Sequence, residues 1–184
     1  MNIVNDKAID PDGVLVRMPV DVAIVWMNEK GLKVLTATRR TGQMDAQMIF
    51  PSKARDASTV PLPSSLIFCA LSSGFLTPGS NFSLIEAFAK PDVFIRYSTT
   101  EEFHFHLIHV QGLQASLRQN DLALTGGRTL GKPSFVLVED LLKIHPVKQP
   151  NGHGLEINHF FGLQQIFRHN KFVLDPALDY LVKS

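Results

Sequence analysis

Glu101-Glu102-Phe103-His104-Phe105-His106-Leu107-Ile108-His109-Val110 alternates polar and apolar residues. A period of two is the signature of a β-strand, whose successive side chains point to opposite faces. Glu102, His104 and His106 therefore share one face, and Phe103, Phe105 and Leu107 the other. His109 falls outside the histidine row unless a bulge intervenes. A carboxylate and two imidazoles on a rigid strand form a donor set for zinc, iron, nickel or manganese, or a path for a proton. The plainer reading is the solvent face of an antiparallel strand whose other face packs three apolar side chains. An isolated His-x-His without a partner motif at fixed spacing favours that plainer reading. A third ligand would have to come from His145, His153 or His159, which lie in or beside a late loop.

Outward from this strand, residues 14–18, 20–27, 32–38 and 44–50 also read as strands. Asn28 to Gly31 forms the turn of a hairpin between the second and third. Residues 51–63 hold three prolines and read as a mobile loop. A short helix is expected over 66–72, ending at Gly74, and a second over 83–90, stopped by Pro91. Strands follow at 93–97 and 134–138, with a glycine-rich connection at 125–133, and residues 113–117 fit strand or helix alike. A helical turn is expected at 139–144 and a second mobile loop at 146–154. Asn158 would cap a helix to about residue 169, with Phe160, Leu163, Ile166 and Phe167 on its apolar face. Asp175-Pro176 would start a last helix carrying Leu178 and Leu181. The order lacks regular strand–helix alternation. It predicts one α+β domain over residues 1–184, a mainly antiparallel β-sheet covered by short helices on one side, with two C-terminal helices.

The chain has 184 residues, 45% of them hydrophobic and 19% charged. Phe (13) far outnumbers Tyr (2) and Trp (1), which suggests apolar surface covered by a partner and hence a homo-oligomer. Residues 155–184 would serve as a docking or exchange arm, with Phe160, Phe161, Phe167, Leu178 and Leu181 at the interface; the alternative is docking onto the chain's own sheet. Cys69 is the single cysteine, so no internal disulfide forms. With no apolar leader and no run near the length of a membrane span, a cytoplasmic protein is expected.

The net charge of +1 is unevenly spread. Residues 30–55 carry Lys30, Lys33, Arg39, Arg40, Lys53 and Arg55 against Asp45 alone, while residues 1–29 are acidic. Arg39, Arg40, Lys53 and Arg55 would face a nucleic acid, another polyanion or an acidic protein. Stacking aromatics are sparse in that block, and a solvated rim is the plain alternative. The loop at 125–133 matches no phosphate-cradling glycine pattern, and no nucleophile–base arrangement is legible.

These features favour a non-enzymatic, self-associating structural, assembly or adaptor protein without a cofactor. The alternative is a small metal-dependent enzyme holding one divalent transition metal on Glu102, His104 and His106. A nucleic-acid-binding module stands third.

Overall fold

The apolar run that begins at Val20 is the organising element of the molecule. From Val22 to Trp26 every side chain is at most 1% exposed. A strand buried on both faces needs a layer on each side of its sheet, and the structure supplies both. The computed structural model describes residues 2–4, 7–9, 18–29, 31–41, 44–55, 66–67, 71, 74–76, 83–87, 93–96, 101–113, 117, 129–147 and 153–168.

The strands are β1 (Asn2–Val4), β2 (Lys7–Ile9), β3 (Met18–Glu29), β4 (Gly31–Thr41), β5 (Met44–Ile49), β6 (Ser52–Ala54), β7 (Ser83–Ala87), β8 (Val93–Arg96), β9 (Glu101–Gln111), β10 (Thr129–Leu130) and β11 (Ser134–Leu137). The helices are α1 (Val138–Lys143) and α2 (Ile157–Arg168). β1 and β2 pair with each other, and the rest form one sheet in the order β10-β4-β3-β9-β7. β11 and β5 pair with β4, β6 with β3, and β8 with β9. The fold is α+β and mostly antiparallel, as expected. The central pair is the exception: β3 and β9 run parallel, from Met18↔Glu101 to Trp26↔His109.

One face of the sheet carries Val22, Ile24, Trp26, Phe105 and Leu107, covered by Val138 and Leu141 of α1 and by Phe160, Leu163, Ile166 and Phe167 of α2. The opposite face carries Ala23, Val25, Leu35, Ile108 and Val110, covered by Leu66, Ile67, Leu71 and Phe75. The expectation of cover on one side only is thus corrected. Each fully buried Leu, Ile or Phe contributes roughly 1.5–3 kcal/mol. The α2 spacing of 160, 163, 166 and 167 is the apolar stripe the sequence shows. Its N-terminus is capped by Glu156, whose Oε2 accepts from the backbone N–H of Asn158 (3.1 Å) and His159 (3.2 Å). The expected cap, Asn158, instead donates its own amide to Glu156 Oε1. Gly162 lets α2 approach the sheet, because a Cβ there would lie 2.4–2.5 Å from the Phe105 ring.

Three further expectations are corrected. Residues 83–87 form the strand β7 on β9, not a helix; an available sheet edge overrides helical spacing. Residues 51–55 are not the start of a loop. Pro51 accepts from Ala23 N at 2.8 Å, β6 pairs with β3, and Arg55 N donates to Pro19 O at 2.9 Å. Phe160 and Phe167, read as interface residues, are 8% and 4% exposed within the chain's own core; Phe161 is the one that faces outward, at 42%. Cys69, Leu178, Leu181, the helix after Asp175, the side chain of Arg40 and much of the loops at 56–65, 125–128 and 148–152 lie outside the described residues. Among the described residues no helix is long and apolar enough to cross a membrane.

Candidate active site

The sheet divides near the N-terminal ends of β3 and β9. β3 meets β4 directly only from Trp26 to Glu29. Before that β3 pairs with β6 and β4 with β5, so the bend at Phe50-Pro51 wedges the two limbs apart. On β3, Asp21 shares a face with Ala23 and Val25, and on β9, Glu102, His104 and His106 share that face with Ile108 and Val110. One half of the face is therefore apolar core and the other half is ionisable.

That ionisable half is buried. Asp21, Glu102, His104 and His106 are 5%, 5%, 6% and 0% exposed, which overturns the solvated-face reading of the histidine row. Polar alternation did not point to water, because a second set of polar groups meets it. Asp21 is the register partner of His104 across the parallel seam, and Arg55 reaches in from just beyond β6. Arg55 Nε donates to Asp21 Oδ2 at 2.6 Å, and Arg55 Nη2 lies 3.2 Å from His104 Nδ1. His104 Nε2 lies 3.2 Å from Glu102 Oε2, and His106 Nε2 lies 3.3 Å from Asp21 Oδ1.

These contacts assign the protons. A guanidinium can only donate, so His104 Nδ1 accepts, and the ring carries its proton on Nε2, donating to Glu102. His106 donates from Nε2 to Asp21. The result is a linked chain, Glu102–His104–Arg55–Asp21–His106, in which the central guanidinium donates to both sides and Asp21 accepts from both neighbours. Burial pushes the Asp21 carboxyl upward, but the bonds from His106 and Arg55 and their charges outweigh it, so Asp21 is held below the usual carboxylate range.

The other candidate ligands do not join. His109 lies on the opposite face, as the alternation predicts, and stacks on Trp26 with ring centroids 3.7 Å apart. His145 and His153 are exposed. His159 is on α2, on the far side of the sheet, where its Nδ1 accepts from Phe50 N at 3.0 Å. The expected basic cluster is divided as well. Arg55 belongs to the buried chain, Arg39 donates to Gln47 Oε1 at 3.0 Å, and Lys53 is exposed. Asp21 and the inward role of Arg55 were missed. The available signal was an Asp at the start of an otherwise apolar strand, a residue type rarely buried without a partner.

No protein-family model matches the sequence, and no curated protein matches it. Solved structures do match. The E. coli ORF135 protein aligns with a TM-score of 0.53 at 14% identity, over 88% of this chain and 96% of that one. A MutT protein from Methanosarcina mazei Go1 aligns with 0.49 at 15% identity, over 85% and 97%. The Nudix hydrolase RenU from M. smegmatis aligns with 0.48 at 10% identity, over 87% and 92%. The fold resembles that of Nudix hydrolases. The expectation of a non-enzymatic structural, assembly or adaptor protein is withdrawn against these matches, which include structures titled as a Nudix hydrolase, a UDP-X diphosphatase and an Ap4A hydrolase. The expectation of no cofactor is withdrawn with it, since Nudix hydrolases, whose fold this one resembles, typically use divalent Mg or Mn.

Whether the described residues fit such an ion is a question of donor chemistry. Mg and Mn are hard ions that take oxygen ligands. Asp21 and Glu102 are the carboxylates at hand, and Asp21 is neutralised by a guanidinium at contact distance. Among the described residues no group of three or more His, Cys, Asp or Glu is placed to hold a metal. The sequence between residues 57 and 85, which supplies the covering Leu66, Ile67, Leu71 and Phe75, has no Asp, Glu or His at all. The cluster as arranged does not fit a hard divalent ion.

Proposed function

We propose that this chain is a hydrolase whose working centre is the buried chain Glu102–His104–Arg55–Asp21–His106, acting on a substrate that carries an anionic group. The observation that carries the reading is the burial of four ionisable side chains, hydrogen-bonded to one another and to the partly buried Arg55, at one end of a parallel seam. Such an arrangement is expensive to desolvate and is a poor source of stability compared with apolar packing. Interlocked ionisable groups of this kind, with Asp21 held below its usual range, cluster at functional sites.

Each residue has a role that its contacts support. Arg55 supplies a permanent positive charge to an incoming oxyanion. His106, oriented by Asp21, and His104, oriented by Glu102, are imidazoles with defined tautomers that can hold or hand on a proton. Among the solved structures are a UDP-X diphosphatase and a C. elegans Ap4A hydrolase. Nucleotides joined through phosphoanhydrides are therefore the first substrates to test. The cytoplasm, supported by the solitary Cys69, is the proposed compartment.

The test is nucleotide or phosphate release from a panel of such compounds, with Mg or Mn and with chelator. Wild type turns over at least one of them, and His106→Ala and Asp21→Asn each lower the rate by about 100-fold or more. No turnover by folded wild type under any of these conditions refutes the proposal.

A further inference from the structure

A hard divalent cation takes oxygen ligands with open lone pairs. Three of the four carboxylate oxygens of Asp21 and Glu102 are already engaged: Asp21 Oδ2 accepts from Arg55 Nε at 2.6 Å, Asp21 Oδ1 from His106 Nε2 at 3.3 Å, and Glu102 Oε2 from His104 Nε2 at 3.2 Å. Positive charge is supplied by the chain itself. Lys53 on β6 is the register partner of Asp21, and directly opposed residues of an antiparallel pair share a face. The ladder continues past β6, where Arg55 N donates to Pro19 O, so Arg55 projects to that same face two residues on. Lys53 is exposed, and among the described residues its ammonium has no hydrogen bond or ion pair. The Arg55 side chain is 10% exposed and is anchored by Asp21 and His104. Two cations thus lie on one face of one short strand, the outer in water and the inner fixed at the buried cluster.

From this we infer that Lys53 and Arg55 receive the phosphate chain of a nucleoside diphosphate as the free anion, not as its magnesium complex. A guanidinium keeps its proton and matches two phosphate oxygens in one plane. An exposed ammonium is a point charge that draws an anion in from solvent. A phosphate chain already complexed with Mg2+ has lost much of the charge these two groups would meet. The Asp21 carboxylate, with both oxygens engaged, has none to offer that ion. The inference rests on the nucleotide class proposed above as substrate, and it concerns binding, so turnover does not decide it.

The experiment is calorimetric titration of ADP into the intact chain at low ionic strength, once with EDTA and once with saturating Mg2+. The proteins are wild type, Lys53→Ala, Lys53→Glu and Arg55→Lys. Wild type is expected to bind ADP in EDTA, and no more tightly with Mg2+. Lys53→Ala should weaken binding about fivefold and Lys53→Glu about 20-fold, with both losses shrinking as salt screens the exposed charge. Arg55→Lys keeps the charge but loses the planar fork, and should weaken binding about tenfold. Lys53 is exposed, so its variants keep the fold and decide the matter even where Arg55→Lys does not fold. ADP binding seen only with Mg2+, wild-type affinity in Lys53→Glu, or no ADP binding in either condition overturns the inference. ADP binding in EDTA that Lys53→Glu weakens, without turnover of any phosphoanhydride, supports it while sinking the hydrolase reading.

Discussion

Acidification from pH 7 to pH 5 will weaken the fold through one residue, His159. The ring is 2% exposed, stacks on Phe50 at a centroid distance of 5.5 Å, and meets the edges of Phe103 and Phe105. Its Nδ1 accepts the Phe50 amide proton, so a second ring proton would break that bond. Burial, with the charge of Arg39 adding to it, lowers the imidazole from 6.5 to about 3. The Glu156 carboxylate is 3.9 Å from Nε2, beyond hydrogen-bond reach, and beside an uncharged ring it forms no ion pair. The sign follows from linkage. Between 6.5 and about 3 the unfolded chain binds a proton on this residue that the native chain refuses, so stability falls as pH falls across that window. Each pKa unit corresponds to about 1.4 kcal/mol, which makes the loss from pH 7 to pH 5 about 2 kcal/mol. Urea unfolding midpoints across that range measure it. His159→Gln keeps a side-chain acceptor for Phe50 N without a titrating ring, and will show a pH slope smaller by about that amount. Equal slopes in wild type and His159→Gln would refute the reasoning, as would an NMR titration of His159 centred near 6.

Two other substitutions test the packing and the ion chain. Gly162→Ala places a methyl group against the Phe105 ring, which is fully buried. Overpacking of about 1–3 kcal/mol outweighs the gain of up to about 1 kcal/mol in helix propensity. The melting temperature should fall, with recovery when Phe105→Leu is added; an unchanged or raised value contradicts the contact. Asp21→Asn leaves the Arg55 guanidinium partly unpaired in a buried setting, at a cost of about 3 kcal/mol near neutral pH. Because the native carboxyl is held below its ordinary value, its contribution is present above about 3.8 and is lost as pH falls through the lower native value. The difference between wild type and Asp21→Asn in chemical denaturation must therefore shrink in strong acid; a constant difference argues against the ion chain.

Much of the architecture was legible from the sequence. The β3–β4 hairpin, β9, β11 and α2 follow from periodicity and turn residues. β7 did not, because Leu84, Ile85 and Phe88 suit helical spacing and a sheet edge is invisible to local pattern. The parallel pairing of β3 with β9 was hidden for the same reason, since Val22 to Trp26 names a buried strand but not its neighbour. The histidine row was found, and its environment was misjudged. Alternation says which side chains share a face, whereas water or protein beyond that face depends on a distant partner. Asp21 and Arg55 were that partner, and Arg55 had been grouped with Arg39 as surface charge.

The parallel seam also imposes an order on assembly. The partner of Met18 is Glu101, so a nascent chain makes the β3–β4 hairpin long before β9 emerges from the ribosome. Until then one flank of its most water-averse ribbon is unzipped and open to any stray extended peptide. Fragments that stop short of Glu101 should clump, and dispersal should require the chain through Arg168, whose helices cover the second face. The slow step of maturation is a long-distance rendezvous between segments made far apart in time.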